Sequence, residues 1–440
     1  MEIRYGLLGA LALVVSGAAH ASDMASLEEL EKRLSRLELQ RQGSFSSTTD
    51  WTDRVSINGF MTYGLTRHDV HQKQGSPIPV PNPGSNPDAG QRFTYLERVT
   101  DEVSHRELSR AGIQFNAAIN DKTNAVVQLL ARGRDNYDAE VQWAYIDYKL
   151  LPSVTWRGGR LMLPNSMHSQ YLNVGYAYHW AALPSEVYDI VPFDTMDGMD
   201  ITWRFNTGTL SHELSAFYGS LDVPDNTLPA TVVYEGRDYG GVNLRSRWGD
   251  LSTYLSYSHA KLTADLSPVD AALGFPTPVF ATASIDDASI SGTSVGFTYD
   301  NGSFMLMAER SDLDPKAWFP YRWGGYVSTG YRFGKWMPHV TWGATNSGDI
   351  SSVLTNASPA DDGLALSNMI RSKSWTYGLR YEVASGIDLK LEAQRFYDMS
   401  NEKFDRTGSN VNGMFSSSPV AGPLEDDHPM VYRIAVDVVF

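Results

Sequence analysis

Met-Val-Tyr-Arg-Ile-Ala-Val-Asp-Val-Val-Phe, residues 430–440, closes the chain, and the rest is read outward from it. Tyr432, Ile434, Val436, Val438 and Phe440 fall on one face of an extended strand. Arg433, Asp437 and Val439 fall on the other, with Ala435 between them. That is a repeat of two, with an apolar face and a mixed polar face. A soluble β-domain has a place for such a closing strand, although an edge this apolar invites aggregation. A transmembrane barrel has a more specific one: the apolar face meets lipid, the polar face meets the lumen, and the strand closes the ring. The stretch alone leaves both readings open.

The amino end bears on the choice. Glu2, Ile3 and Arg4 precede an apolar run over 7–19, and Ala19-His20-Ala21 gives a small-x-small site. This pattern predicts a secretory signal peptide over 1–21. The run is too short for a membrane-spanning helix, and no other stretch approaches the roughly 18–20 apolar residues that one needs. An exported chain without a helical span is therefore expected. It has 0 cysteines, so no disulfide holds it together. Its 11 Trp, 23 Tyr and 17 Phe suit the two membrane–water interfaces. A net charge of −15 argues against nucleic acid as a partner. It leaves room for a basic channel, because lumen and loop charges are separate populations. The mean hydropathy of −0.30 excludes a helical membrane protein but not a barrel, in which half of each strand is polar.

Residues 22–42 form a separate segment. Leu27, Leu30, Leu34 and Leu37 are spaced 3, 4 and 3, a short heptad seam, and Ser26 with Glu29 makes a capping box. The spacing predicts a short periplasmic coiled-coil helix that oligomerises only with help from a larger assembly. An amphipathic helix packed on its own domain is the alternative. Residues 43–53 read as a linker.

From 54 to 440 the chain reads as alternating strands. The candidates are 55–66, 107–119, 123–133, 140–150, 154–162, 197–206, 210–220, 238–248, 251–261, 288–300, 303–311, 321–333, 336–346, 373–383, 387–397 and 430–440. About sixteen strands, an even number, fit a single-chain barrel. Every second connection is a tight turn such as Gly249-Asp250 or Asn301-Gly302, and those between are long. Short and long connections alternating over so many strands is the pattern of periplasmic turns and extracellular loops. The fold class expected is all-β, a transmembrane antiparallel β-barrel. Pro338, inside a candidate strand, is the misfit, since it removes a ladder donor; a later strand start or a bulge is expected there.

Function then lies in the lumen and in what folds into it. Strand phase puts Arg110, Arg132, Arg204, Arg245, Arg247, Arg322, Arg332, Arg380, Lys390 and Arg433 inside, with acids such as Glu309, Asp388, Glu392 and Asp437. The connection over 163–196 is rich in aromatics, among them Tyr176, Tyr178 and Trp180, and carries the acids Glu186, Asp189, Asp194 and Asp197. An exposed loop does not need so many aromatics, so this one is expected to pack inside and narrow the pore. An extracellular cap or a contact between subunits is the alternative.

In its leader, strand count, loop position and terminal Phe440, the chain resembles the trimeric sixteen-stranded porins of Gram-negative outer membranes. Its N-terminal coil is similar to that of DcaP-like porins. The resemblance covers about 26–440 and rests on architecture rather than on a sharp motif. It implies a homotrimer in a lipid bilayer with lipopolysaccharide, and recognition of the last strand by the barrel-assembly machinery. It also implies a basic wall facing an acidic loop. That wall maps onto Arg110, Arg132, Arg157, Arg380 and Arg433, and the loop onto 163–196. Passive diffusion of small hydrophilic solutes, leaning to organic anions, is the expected function, without a cofactor or metal. Two other readings stay open. Ser166 and His168 suggest an outer-membrane hydrolase, but no nucleophile-elbow motif accompanies them. The acidic pairs Asp286-Asp287, Asp361-Asp362 and Asp426-Asp427 suggest an adhesion barrel with loop-bound cations, though such pairs are commonly just solvated.

Overall fold

The computed structural model describes residues 54–69, 103–190, 193–225, 228–317, 319–348, 364, 370–398 and 428–440. The expected signal peptide, coil and linker over 1–53 lie outside these residues, as do Asp361-Asp362 and Asp426-Asp427.

The described chain is built on strands. In order they are β1 (Val55–Asp69), β2 (Val103–Ser104), β3 (Arg110–Asn120), β4 (Thr123–Arg132), β5 (Ala139–Leu151), β6 (Val154–Met162), β7 (Thr195–Thr207), β8 (Leu210–Asp225) and β9 (Val232–Trp248). They continue as β10 (Leu251–Ala264), β11 (Ile285–Asp300), β12 (Phe304–Pro315), β13 (Arg322–Tyr331), β14 (Trp336–Ser347), β15 (Arg371–Ala384), β16 (Ile387–Tyr397) and β17 (Met430–Val439). β2 is a two-residue rung on the end of β1, which leaves sixteen strands in the wall. Each of these pairs antiparallel with its sequence neighbours. The ring closes where β17 pairs with β1, with Thr62 opposite Asp437 and Thr66 opposite Arg433.

The period of two sorts each strand. Met61, Tyr63, Met199, Ile201, Trp203, Leu255, Tyr257, Trp375 and Tyr377 are exposed apolar groups on the outside. Thr62, Asp437, Lys390, Glu392 and Arg433 are buried on the inside. An unpaired backbone cannot face lipid, and a closed ladder leaves none unpaired around the wall. The tight turns hold glycines in the left-handed region, Gly208 at φ 62° and Gly249 at φ 56° among them, where a side chain is disfavoured.

The structure departs from the sequence reading at several strand ends, most of all in β8 to β12. β8 to β12 run further at the long-loop end than expected. Their inner faces turn apolar there, and Leu221, Val223, Val232, Leu262 and Ile285 bury one another above the polar lumen. The helix Ser267–Leu273 adds Val269 to this cluster. Nor does Pro338 interrupt β14, which runs through it as an ordinary strand. It faces Leu379 on β15, and the pairing to β13 already ends at Gly330–His339.

Candidate functional site: the loop inside the barrel

Residues 163–194, of which 191–192 are not described, leave β6 and return to β7 through the barrel interior. The Leu163 amide donates to the Asp194 carbonyl at 2.9 Å and closes the neck. The Pro164 carbonyl accepts from the Ser256 hydroxyl at 3.0 Å and from Tyr254. Two 3-10 turns, Ser169–Tyr171 and Gly175–Ala177, and the short helix Ser185–Tyr188 follow. Tyr178, Trp180, Leu183 and Val187 then pack with Met305, Met307, Tyr326 and Met337 of the wall. Trp180 is 1% exposed, and Tyr326 meets it edge-on at 5.3 Å. Burying rings of this size against thioethers is a large apolar gain that no solvent-facing loop makes.

The wall is cut to receive the loop. A Cβ added at Gly324 on β13 would stand 1.6 Å from the Glu186 carbonyl oxygen. One at Gly343 on β14 would stand 2.5 Å from the Glu186 side-chain carbon Cδ. The helix therefore lies directly on the backbone of two strands.

Polar groups fix the loop around the circumference. The Glu309 carboxylate accepts from the Met167 amide at 2.6 Å, the Tyr188 hydroxyl at 2.6 Å and Ser294 at 3.0 Å. Glu392 accepts from the Ala181 amide at 2.9 Å. Trp180 donates to Thr341 at 2.8 Å, and His179 meets Ser328 at 2.9 Å. Lys390, with no exposed surface, donates to the Gly175 carbonyl at 2.5 Å, pairs with Asp437 at 2.8 Å and lies 4.9 Å from the Tyr178 ring. The Thr62 hydroxyl donates to Asp437 at 2.5 Å.

These contacts show where each expected site residue stands. Arg110 donates to the Tyr178 hydroxyl. Arg132 holds Asp194 at 2.8 Å and also Glu140. Arg380 holds Asp388 at 2.6 Å, donates to the Tyr176 carbonyl at 3.1 Å and covers the Tyr176 ring at 5.0 Å. Arg433 donates to Gln394 at 2.7 Å and stands 3.7 Å from Glu392. These four serve as clamps on the loop and on wall acids. Arg157 stands apart from them, paired with Asp200 at 3.0 Å through Nε and lying 5.3 Å from the Tyr145 ring.

The expected acids divide as well. Glu186 turns into the wall and accepts from Ser374; burial pushes its carboxyl up, against that hydrogen bond. Asp189 is pushed up much further by burial, and its Oδ2 has no hydrogen-bond partner among the described residues. Asp194 is bound by Arg132. Asp197 is a correction: it belongs to β7, not to the loop, and points outward, where Arg160 holds it at 3.0 and 2.8 Å. An acidic loop face opposing a basic wall across open lumen is therefore not what these residues form. His168 also does not partner Ser166; its Nδ1 lies 2.8 Å from the Tyr171 hydroxyl, and burial holds its pKa down at about 3.

Among the inner groups that still meet water are those of β6 to β8. The Arg204 side chain is 59% exposed beside Glu213 at 32%, and Arg157 is 26% exposed. Arg247 on β9 and Lys149 on β5 are partly exposed on the flanking strands. The clamp role of Lys390 was not read from sequence. Its signal was a lone inner-face lysine between Asp388 and Glu392, two residues away on either side.

No protein-family model matches the chain, and no curated protein sequence is similar to it. Among solved structures it is similar to Salmonella typhi OmpF in complex with daunomycin, at 12% identity over 88% of this chain and 97% of that one, with a TM-score of 0.53. It is also similar to the outer membrane channel DcaP of Acinetobacter baumannii (13% identity, 88% and 97% covered, TM-score 0.49). A third is an anion-selective porin from Comamonas acidovorans (10% identity, 88% and 99% covered, TM-score 0.47). Identities this low speak to fold alone, and nothing rests on the two scores below 0.5. The fold is the closed sixteen-strand antiparallel barrel seen in outer-membrane porins, and its apolar outer face suits a Gram-negative outer membrane.

Proposed function

We propose that the chain is a porin, a water-filled channel for passive diffusion of small hydrophilic solutes that leans toward organic anions. The observation that carries this reading is the loop 163–194 held against most of a closed wall while Arg204, Glu213 and Arg157 on β6 to β8 still meet water. A barrel of this size is wide enough to conduct, and an interior loop narrows it without sealing it. The lean toward anions rests on Arg247 and Lys149 on β9 and β5, since the clamping arginines are engaged by the loop and by wall acids, and Arg157 and Arg204 are paired with Asp200 and Glu213. Planar-bilayer recordings in a salt gradient test it: reversal potentials are expected to show mild anion preference. Arg204→Glu with Arg247→Glu should reverse that preference, and clear cation selectivity of the unaltered protein would sink the argument.

We further propose a homotrimer joined through the outer face of β3 to β5. Ala111, Ala117, Ala125, Ala131, Ala139 and Ala144 leave gaps on that face between exposed apolar groups such as Phe115, Val127 and Ile146. Beside it lies the outward Arg160–Asp197 pair, which is costly against lipid and acceptable against protein. Ala125→Trp on this face should convert the trimer to monomer in unheated gels; an unchanged trimer points to another face. The leader over 1–21 and the trimer-supporting coil over 22–42 remain part of this proposal.

A further inference from the structure

Where the loop meets the long-loop ends of β8 to β12, the two do not close on each other completely, and a pocket of about 130 Å³ remains. Val187, Ile190 and Phe193 form its loop side. Leu221 of β8, Leu262 of β10, Ile290 of β11 and Leu313 of β12 form its wall side. Tyr234 and Phe319, with ring centroids 5.8 Å apart, add aromatic surface. An apolar cavity of about 150 Å³ admits a six-carbon ring such as benzene, so this one has room for a body of about that size.

Polar groups at the lining have uses of their own. The Tyr239 hydroxyl donates to Asn165. Asp312 is held by Arg310 at 2.9 and 2.7 Å, and Arg322 is engaged within the structure. Asp189 is the other charged residue of the described lining and belongs to the loop side. The lining thus carries both signs, so it favours neither a cation nor an anion, and its apolar walls penalise any bare charge. An uncharged ligand meets none of these objections.

We propose that this pocket binds a small uncharged carbocyclic molecule of benzene's size, and that the bound ring, touching loop and wall together, fastens the loop in its seat. Apolar burial supplies the affinity. The effect on the loop follows from the two-sided lining. A ligand that needs both sides binds the docked loop and not the undocked one, so it shifts that equilibrium by its own affinity. The inference rests on where the loop is seated and holds whether or not the barrel conducts.

The test uses the full protein in nanodiscs with fluorobenzene as the probe, followed by its fluorine NMR signal. Protein-free discs are the blank for partition into lipid. A single saturable site per chain is expected. Leu313→Asn puts an amide on the wall side and should weaken binding about tenfold. Leu262→Trp fills the space and should remove the saturable component. Hydrogen exchange of the 185–190 amides is read on the unaltered protein, so the idea stays testable if either variant fails to fold. At about ten times the dissociation constant of the probe, those amides should exchange about tenfold more slowly. Binding no greater than in the empty discs, binding untouched by both variants, or saturated binding that leaves exchange of the loop amides unchanged overturns the proposal.

Discussion

Lys390 carries a charge at a point with no exposed surface, against Asp437 and the Gly175 carbonyl. Removing one partner from such a pair leaves the other uncompensated, at about 3–5 kcal/mol. Lys390→Met is therefore expected to lower the temperature at which the barrel unfolds in heat-modifiability gels. Lys390→Met with Asp437→Leu should recover part of the loss, because two apolar groups leave no orphan charge. His168 gives a pH test. Docked in the loop, it stays neutral down to about pH 3, because burial holds its pKa there. Undocked, it titrates near 6.5. A lowered histidine pKa means the undocked form takes up the proton first, so docking weakens as pH falls from about 6.5 toward 3. Glu186 and Asp189 are shifted up and act in the opposite sense. Protection of the loop amides against hydrogen exchange, corrected for the intrinsic rate at each pH, should fall between pH 7 and 5, and His168→Phe should reduce that fall. A fall unchanged in His168→Phe assigns the effect elsewhere. At this scale the sequence was legible in one respect: alternation told which way Arg433, Asp437 and Lys390 point. It did not tell what they meet. That depends on a loop far away in sequence from the strands that carry them, as Lys390 and Gly175 show with a separation of 215.

The strands were the easiest elements to read, because lipid on one side and water on the other impose a strict period of two. Their tight turns were equally plain. The upper ends of β8 to β12 were less so, since an inner face that turns apolar blurs the alternation. The loop was legible as an interior element from its aromatics alone, yet its short helix Ser185–Tyr188 was not foreseen. Four residues carry no helical period, and what seats them is the bare backbone of Gly324 and Gly343 on distant strands. Gly324→Val should push this helix off the wall at about 1–3 kcal/mol, the usual cost of overpacking. The ring should stay closed, as read by heat-modifiability, while single-channel current becomes noisier or changes step size. A current trace identical to that of the unaltered protein shows that the seat is not needed.

For the whole molecule, the sixteen-strand ring was legible because turn and loop lengths alternate along the entire chain, a pattern that survives local errors in any one strand. Which inner-face charges the loop engages was not legible. Counting inner-face charges treats all of them alike, whereas contacts with the loop and with wall acids engage Arg110, Arg132, Arg380 and Arg433 and leave the Arg204 side chain 59% exposed. Deleting 26–42 should leave a conducting barrel with weaker subunit association; an equally robust trimer assigns the segment another task.

The seam between β1 and β17 has a further consequence, for timing. Its rungs join Thr62 to Asp437 across nearly the whole length of the chain. Every shorter nascent chain has two open sheet margins. The loop is bound to the same schedule, because most of what holds it, from Glu309 to Asp437, comes later in the sequence. Residues 163–194 can complete their seating only once the second half of the wall is in place, so a ring stalled before closure is expected to hold them incompletely docked.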